Sequence, residues 1–436
     1  SINMEAGSKI KMFRILLLYC CLTCAVSAPD TLRQVNILYR HGDRSPTKAY
    51  PKNPYPQSIW PQGLGQLNQT GMWQHYWLGK FLRKRYDGFI STDYKRREVN
   101  VRSTDMDRTL MSAYSNLAGL FPPAGRQLWN PNIPWQPIPV HTRPTEDDPL
   151  LKTDYDCPRY DELQQQTFEM PEIQQHEKKF KDFYIYVSES TGVPHENIRD
   201  IWGIYDILFC EQYHGLSLPA WATNQTFFNR TIFSLLEEMQ TMDFYYMFNT
   251  REKAKLRGGM LVDEMVENMK VNMANDTTDE NTYITTHIYS AHDTTVSAYR
   301  SAIQIDNDLP PPYATAVMTE LHYDKTKQEY FVRVWQRNTT NYNDTDTPPN
   351  QLRIKGCELD CPFSEFVKLT SDVVITYNQL QGACGKTSMT KNNMVILISV
   401  GVALVVLIAI SVCCYCWKRQ RDIRYERYQQ AETSSA

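Results

Sequence analysis

In the run Tyr39 to Pro46, YRHGDRSP, two arginines, Arg40 and Arg44, stand close to His41, with Asp43 as the nearest counter-charge. Flanking guanidiniums disfavour a cationic imidazole, so His41 stays neutral and nucleophilic below its ordinary pKa. Guanidiniums are planar and permanently charged, and they clasp phosphate bidentately. A second cluster, His292 and Asp293, lies in SAHDTT at Ser290 to Thr295, and Arg108 falls in the first turn of an expected helix. Helix N-termini favour anions. Three arginines around one histidine point to a phosphoryl group. His41 would attack phosphorus to form a phosphohistidine, splitting hydrolysis into two easier steps. Asp293 is the nearest candidate to protonate the leaving alcohol. His292 could donate to a phosphoryl oxygen as charge develops.

Other readings of the same residues stay open. Arg44 and Asp43 could form a turn salt bridge of little energetic weight, and His292–Asp293 could cap a helix start. A His/Asp metal site is a sharper competitor, because many phosphatases use two metals. Arg40 and Arg44 would repel a divalent cation there, and no H-x-x-x-H or C-x-x-C spacing supports one. No cofactor is expected.

Elements must bring these clusters together. Val35 to Tyr39 reads as a buried strand running straight into Arg40 and His41. Leu64 to Tyr86 reads as a helix with Leu67, Leu78, Phe81 and Leu82 on one side. The strand EVNVRST feeds a helix from Asp105, with Thr104 as N-cap and Asp107 completing a capping-box-like pair. Met106, Leu110, Ala113, Leu117 and Leu120 form its core-facing stripe. A strand over Ile284 to Tyr289, a polar turn and a helix from Thr294 repeat the strand-end logic, and a further strand is expected over Glu329 to Trp335. Strands alternating with helices favour an α/β fold, in which ligands bind outside the carboxyl ends of strands. The proline-dense stretch Phe121 to Pro149 should be irregular. Cys157 to about Met273 is strand-poor and reads as an inserted helical lobe, and Cys357 to Asn393 as a tail and stalk.

The formal net charge of −3 leaves no nucleic-acid footprint, and 42% hydrophobic residues argue for a folded chain. Lys9, Lys11 and Arg14 precede an apolar run over Ile15 to Val26, and Val26, Ser27 and Ala28 offer a cleavage site, as in an export signal. The sequence opens on Ser1, with Met4 and Met12 as candidate natural starts. Met394 to Trp417 carries no charge and is long enough to span a bilayer; KRQRDIR follows, placing that end in the cytosol. A single-pass type I membrane protein is expected. Asn68, Asn224, Asn229, Asn275, Asn338 and Asn343 each begin a glycosylation sequon. Cys413, Cys414 and Cys416 lie at the cytosolic edge, where S-palmitoylation and apolar filling are equal readings.

RHGDRSP and SAHDTT resemble the two signature motifs of the histidine acid phosphatases, a branch of the histidine phosphatase superfamily. WPQGLGQL at Trp60, VRSTDMDRTLMSA at Val101, IPVHT at Ile138, LFCEQYHGL at Leu208 and LPPPYA at Leu309 extend the likeness over about Leu32 to Cys384. The resemblance implies a nucleophile at His41, phosphate-binding Arg40, Arg44 and Arg108, a second histidine at His292 and a proton donor at Asp293. It implies a mixed sheet flanked by helices on both faces, plus a smaller, mainly helical inserted domain. It also implies a metal-independent acid phosphatase, often a homodimer, acting on small phosphomonoesters such as phosphotyrosine, nucleotides or lysophospholipids. Cys157 with Cys384 and Cys357 with Cys361 match the family's disulfides, whereas Cys210 meets Ala316 where a partner cysteine is usual and is expected free.

The organisation expected is therefore a signal and upstream residues over 1–28, α/β domain over 29–156 and 281–384, and helical domain over 157–280. A stalk over 385–393, a transmembrane helix over 394–417 and a cytoplasmic tail over 418–436 complete it. A catalytically inactive receptor on the same fold is the reading from another class; it predicts loss of His41, Arg108 or His292, and all are present. Tyr425 and Tyr428 in the tail are not followed by the usual lysosomal signal, so lysosome, endosome and plasma membrane all remain as destinations.

Overall fold

The computed structural model describes residues 31–275, 283–305, 307–339, 341–385 and 391–433. The expected signal segment lies outside them, as does residues 386–390 of the stalk. Up to Cys384 the chain forms one body, and from Gly385 a second unit.

The first body begins with β1 (Leu32–Arg40), α1 (Gln69–Arg85), β2 (Val99–Ser103) and α2 (Asp107–Leu120). Helices α3 (Pro158–Phe168), α4 (Pro171–Lys179), α5 (Lys181–Thr191), α6 (Ile201–Tyr213) and α7 (Ala220–Thr223) follow. A small hairpin, β3 (Thr226–Phe227) and β4 (Arg230–Thr231), then leads into α8 (Ile232–Tyr246) and α9 (Arg251–Asn275). The chain returns through β5 (Thr286–Ala291), α10 (Asp293–Ala302), β6 (Ala316–Asp324), β7 (Glu329–Arg337), β8 (Asn350–Leu352) and β9 (Cys361–Pro362), and closes with α11 (Phe363–Thr370) and α12 (Tyr377–Ala383).

The main sheet is mixed, in the order β2-β5-β1-β6-β7-β8, with β9 also on β7. β5 runs parallel to both β1 and β2, whereas β6 is antiparallel to β1. The carboxyl ends of β1, β2 and β5 therefore share one edge with the start of β6. Alternation along β1 fills two layers, as the two-residue period of a strand requires. Val35, Ile37 and Tyr39 pack with Leu78, Phe81, Leu82, Leu117 and Leu120 of α1 and α2. Leu38 joins Leu261, Val262 and Met265 of α9 and Val296 and Tyr299 of α10 on the other face. Helices α5, α6 and α8 enclose a separate core around Phe183, Ile204, Leu208, Leu235 and Met239.

Several expectations shift. The helix foreseen from Leu64 starts at Gln69, because Asn68 caps it through Gly71 N–H. The helix foreseen from Asp105 starts at Asp107 with Met106 as N-cap, because the Thr104 hydroxyl is turned to His292 and Thr109 instead. The segment after Cys357 is no loose tail: Phe363, Phe366 and Val373 pack into the α9–α10 core. Bridge Cys157–Cys384 ties it to the body, Cys357–Cys361 closes a short loop within it, and Cys210 is free and buried.

In the second unit a helix, α13, runs over Lys391–Thr433. Its stretch Ile398–Arg424 alone among the described residues is long and apolar enough to cross a membrane.

Candidate active site

His41 leaves the end of β1 with its N–H on Ala291 O, the last residue of β5, at 2.9 Å. Its neighbour Gly42 lies so close to α1 that a Cβ there would stand 2.5 Å from Gly71 O, which explains glycine at this point of the motif. The imidazole Nδ1 lies 2.8 Å from Gly42 O. A carbonyl only accepts, so Nδ1 carries the proton and Nε2 keeps its lone pair. Burial, reinforced by Arg40, Arg108 and Arg44, holds the His41 pKa well below its ordinary value. The neutral nucleophile expected from sequence is what the surroundings enforce.

The arginines are held from outside the motif. Arg44 makes a bidentate pair with Asp206 of α6, at 2.9 and 3.1 Å, and Asp206 also accepts from Thr47 N–H and its hydroxyl at 3.1 Å each. Arg40 pairs with Asp293 at 2.9 Å, donates to Pro311 O at 2.6 Å and lies over the Tyr313 ring at 4.3 Å. Arg108 has no ion-pair partner among the described residues, and burial together with Arg44 brings its pKa down to about 10. In all three side chains Nε–H is buried and unpartnered. Arg85 and Arg102 elsewhere share that feature, so what marks an anion site is the convergence of Arg40, Arg108 and Arg44 on His41.

His292, the N-cap residue of α10, presents an edge to His41 with ring centroids 5.6 Å apart. Its Nε2 lies 3.0 Å from Thr104 Oγ1, which is 2.8 Å from Thr109 Oγ1. Burial, then Arg108, lowers the His292 pKa to about 3. Capping and site chemistry are thus one arrangement rather than rival readings. Asp293 differs from the sequence expectation of a protonated acid. Burial pushes its carboxyl up, but Arg40, Arg44 and His292 outweigh that and hold it below the usual carboxylate range.

Asp43 does not pair with Arg44. Its carboxylate accepts from Arg44 N–H and from Asn68 Nδ2, each at 2.8 Å, and meets His214 Nε2 at 3.0 Å. Asn68 is thereby engaged inside the fold through the nitrogen to which a glycan would attach, whereas Asn224, Asn229, Asn338 and Asn343 are exposed. Sequence reasoning missed Asp206, Tyr313 and Thr104. Asp206 carries no local signal, Tyr313 sits in the LPPPYA run without a role that the run itself assigns, and Thr104 sits in a strand-end motif where it reads as a cap. Among the described residues no group of three or more His, Cys, Asp or Glu is arranged to hold a metal ion.

The site resembles known proteins along its whole frame. The model of the "Histidine phosphatase superfamily (branch 2)" matches residues 31–336. The chain belongs to that superfamily. Prostatic acid phosphatase of Bos taurus is 44% identical over 345 residues, covering 79% of this chain and 85% of that protein. Lysosomal acid phosphatase of Homo sapiens is 45% identical over 348 residues, covering 79% and 78%. Among solved structures, Hafnia alvei phytase in complex with tartrate superposes with a TM-score of 0.60 at 20% identity, over 82% of this chain and 99% of the phytase, a likeness of fold. Both signature motifs of this histidine phosphatase flank a cavity of about 480 Å³ that Arg40 and Asp293 help to line.

Proposed function

We propose that the chain is an acid phosphatase that hydrolyses phosphate monoesters through a phosphohistidine on His41, with Asp293 as proton donor. The observation that carries this reading is the convergence of the Arg40, Arg108 and Arg44 guanidiniums on a buried, neutral histidine whose Nδ1 is held by Gly42 O, leaving Nε2 to react. His41 Nε2 attacks phosphorus, the ester P–O bond breaks, and its electron pair leaves with the alcohol oxygen, which takes the Asp293 proton. Water then attacks phosphorus, giving its proton to Asp293; the P–N bond breaks and inorganic phosphate departs.

Asp293 is ionised in the empty site, so it gains its proton only with substrate. The incoming phosphoryl charge partners Arg40 and Arg44, removing the cations that keep the Asp293 carboxyl low. Acidic conditions supply the proton. The arginines and His292 hold the phosphoryl oxygens as charge develops. One relative's name, lysosomal acid phosphatase, supports an acidic compartment such as the lysosome, and the apolar helix followed by basic residues supports a membrane anchor with the body outside the cytosol. The family likeness supports a homodimer.

The test is full-length chain, wild type and His41→Ala, assayed with an aryl phosphate near about pH 5 in excess chelator. Turnover that survives the chelator and is lost in the variant supports this mechanism. An inert wild type supports a receptor instead, and loss on chelation alone supports a metal enzyme.

A further inference from the structure

The cavity beside Arg40 and Asp293 has a wall that the phosphate chemistry does not use. Tyr205, Phe209 and Tyr213 recur every fourth residue on α6, so their rings share one helix face. Tyr205 stacks on Phe209 at 5.8 Å and 29°, and Phe209 on Tyr213 at 5.9 Å and 28°. The proline run 310–312 and Tyr342 complete the lining. A planar ring has favourable offset and edge contacts on such a surface.

The charges next to this ladder have one sign to spare. Glu237 of α8 lines the cavity and acts on the nearby Tyr205. Arg337 also lines the cavity, but its buried guanidinium donates to Asp344 O at 2.6 Å and its charge is offset by the nearby Asp344 carboxylate. Glu237 continues into an adjoining groove with Glu238, Asp308 and Arg230, where Arg230 is ion-paired with Glu238. Asp206, on the same wall, is committed to Arg44. Glu237 and Asp308 are left to face whatever enters.

We propose that this cavity is the leaving-group subsite and that it selects aryl phosphomonoesters whose ring bears a cationic substituent, with Glu237 as the specificity-determining counter-charge. The inference rests on the phosphatase reading of the site and sharpens it. A leaving group carrying further negative charge, such as an additional phosphate or a carboxylate, meets Glu237 and Asp308 and is disfavoured. A neutral ring gains only the aromatic wall.

The experiment compares kcat/KM of the full chain, at one fixed mildly acidic pH, for three probes: tyramine O-phosphate, phenyl phosphate and the O-phosphate of para-hydroxyphenylpropionate. The expected order is ammonium, neutral, carboxylate, with the extremes separated roughly tenfold, as suits one partly exposed charge acting favourably on one probe and unfavourably on the other. In Glu237→Gln the ratio of ammonium to carboxylate probe falls toward one, and in Glu237→Lys it inverts. Each ratio is measured within one protein, so a change in the amount of folded enzyme cancels. Equal or reversed rates in wild type, or a ratio that survives both substitutions, overturn the subsite assignment alone. Failure of wild type to hydrolyse phenyl phosphate overturns the phosphatase reading and this inference with it.

Discussion

At the carboxyl ends of β1 and β5, burial joined by arginines drives titratable groups down: His292 to about 3, Arg108 to about 10, and His41 well below its ordinary value. Inside the helical lobe burial drives carboxylates up. Asp243 of α8 reaches about 7, with Asp200 and Glu177 adding to the rise against Arg199 and Lys253, and Glu177 is raised as well. Both clusters are buried, and they resolve the cost of buried charge differently. The lobe takes up protons, so acid alone relieves it. The strand-end site cannot lose its arginine charges, and a ligand anion must relieve it. A structural cluster thus differs from a binding one in whether the molecule can neutralise itself.

The largest effect expected is on the support of Arg44. Asp206→Asn removes the carboxylate from a pair with 3% and 8% side-chain exposure. Leaving a buried guanidinium unpaired should cost about 3 kcal/mol by denaturant unfolding, with part of the loss recovered in phosphate. No loss would mean that Arg44 is not charge-stressed and would break the comparison. Next, inorganic phosphate at about one hundred times its Kd should stabilise wild type by about 2.7 kcal/mol. The same increment should appear in Asp243→Asn, because the clusters share no partner and distant effects add. An increment that changes in that variant would show that the two regions are coupled.

Asp243 supplies the third test. Its folded pKa is raised, so the folded state binds a proton that the unfolded state releases between about pH 4 and 7. Wild type is therefore penalised as pH rises through that window, and Asp243→Asn is not. The variant's stability relative to wild type should improve on the order of 2 kcal/mol between pH 5 and pH 8, read by thermal or denaturant unfolding. A flat difference would remove the lobe's half of the comparison. For the site histidines the sign is opposite: their folded pKa values are depressed, so stability falls as pH drops below about 6.5.

The smallest effect concerns orientation. Thr104→Val deprives His292 Nε2 of its partner at 3.0 Å. The turnover number should fall roughly tenfold, about the worth of one buried hydrogen bond that orients the ring, and Thr104→Ser should restore it. Equal loss in both variants would assign Thr104 to packing alone.

The sequence by itself determined the chemistry carried by neighbours along the chain. Arg40, His41 and Arg44 are adjacent on one strand exit, His292 and Asp293 on another, and Arg108 sits in a helix start that can be read from its surroundings. Strand alternation and helical stripes also place Ile37, Leu78 and Leu117 in the core, because burial follows a short local period. Helix starts were less legible, since Thr104 and Asn68 are ordinary capping residues whose side chains are also claimed by His292 and Asp43 across the fold. Only the tertiary structure decided that Asp206, 162 positions from Arg44, would fix that guanidinium, or that Tyr313 would lie beneath Arg40. It also decided that Asp293 is ionised, because its charge state depends on Arg40 and Arg44, brought beside it from a segment far away in the chain. Local order is written in local spacing, whereas electrostatic balance depends on distances that exist only after the chain has folded.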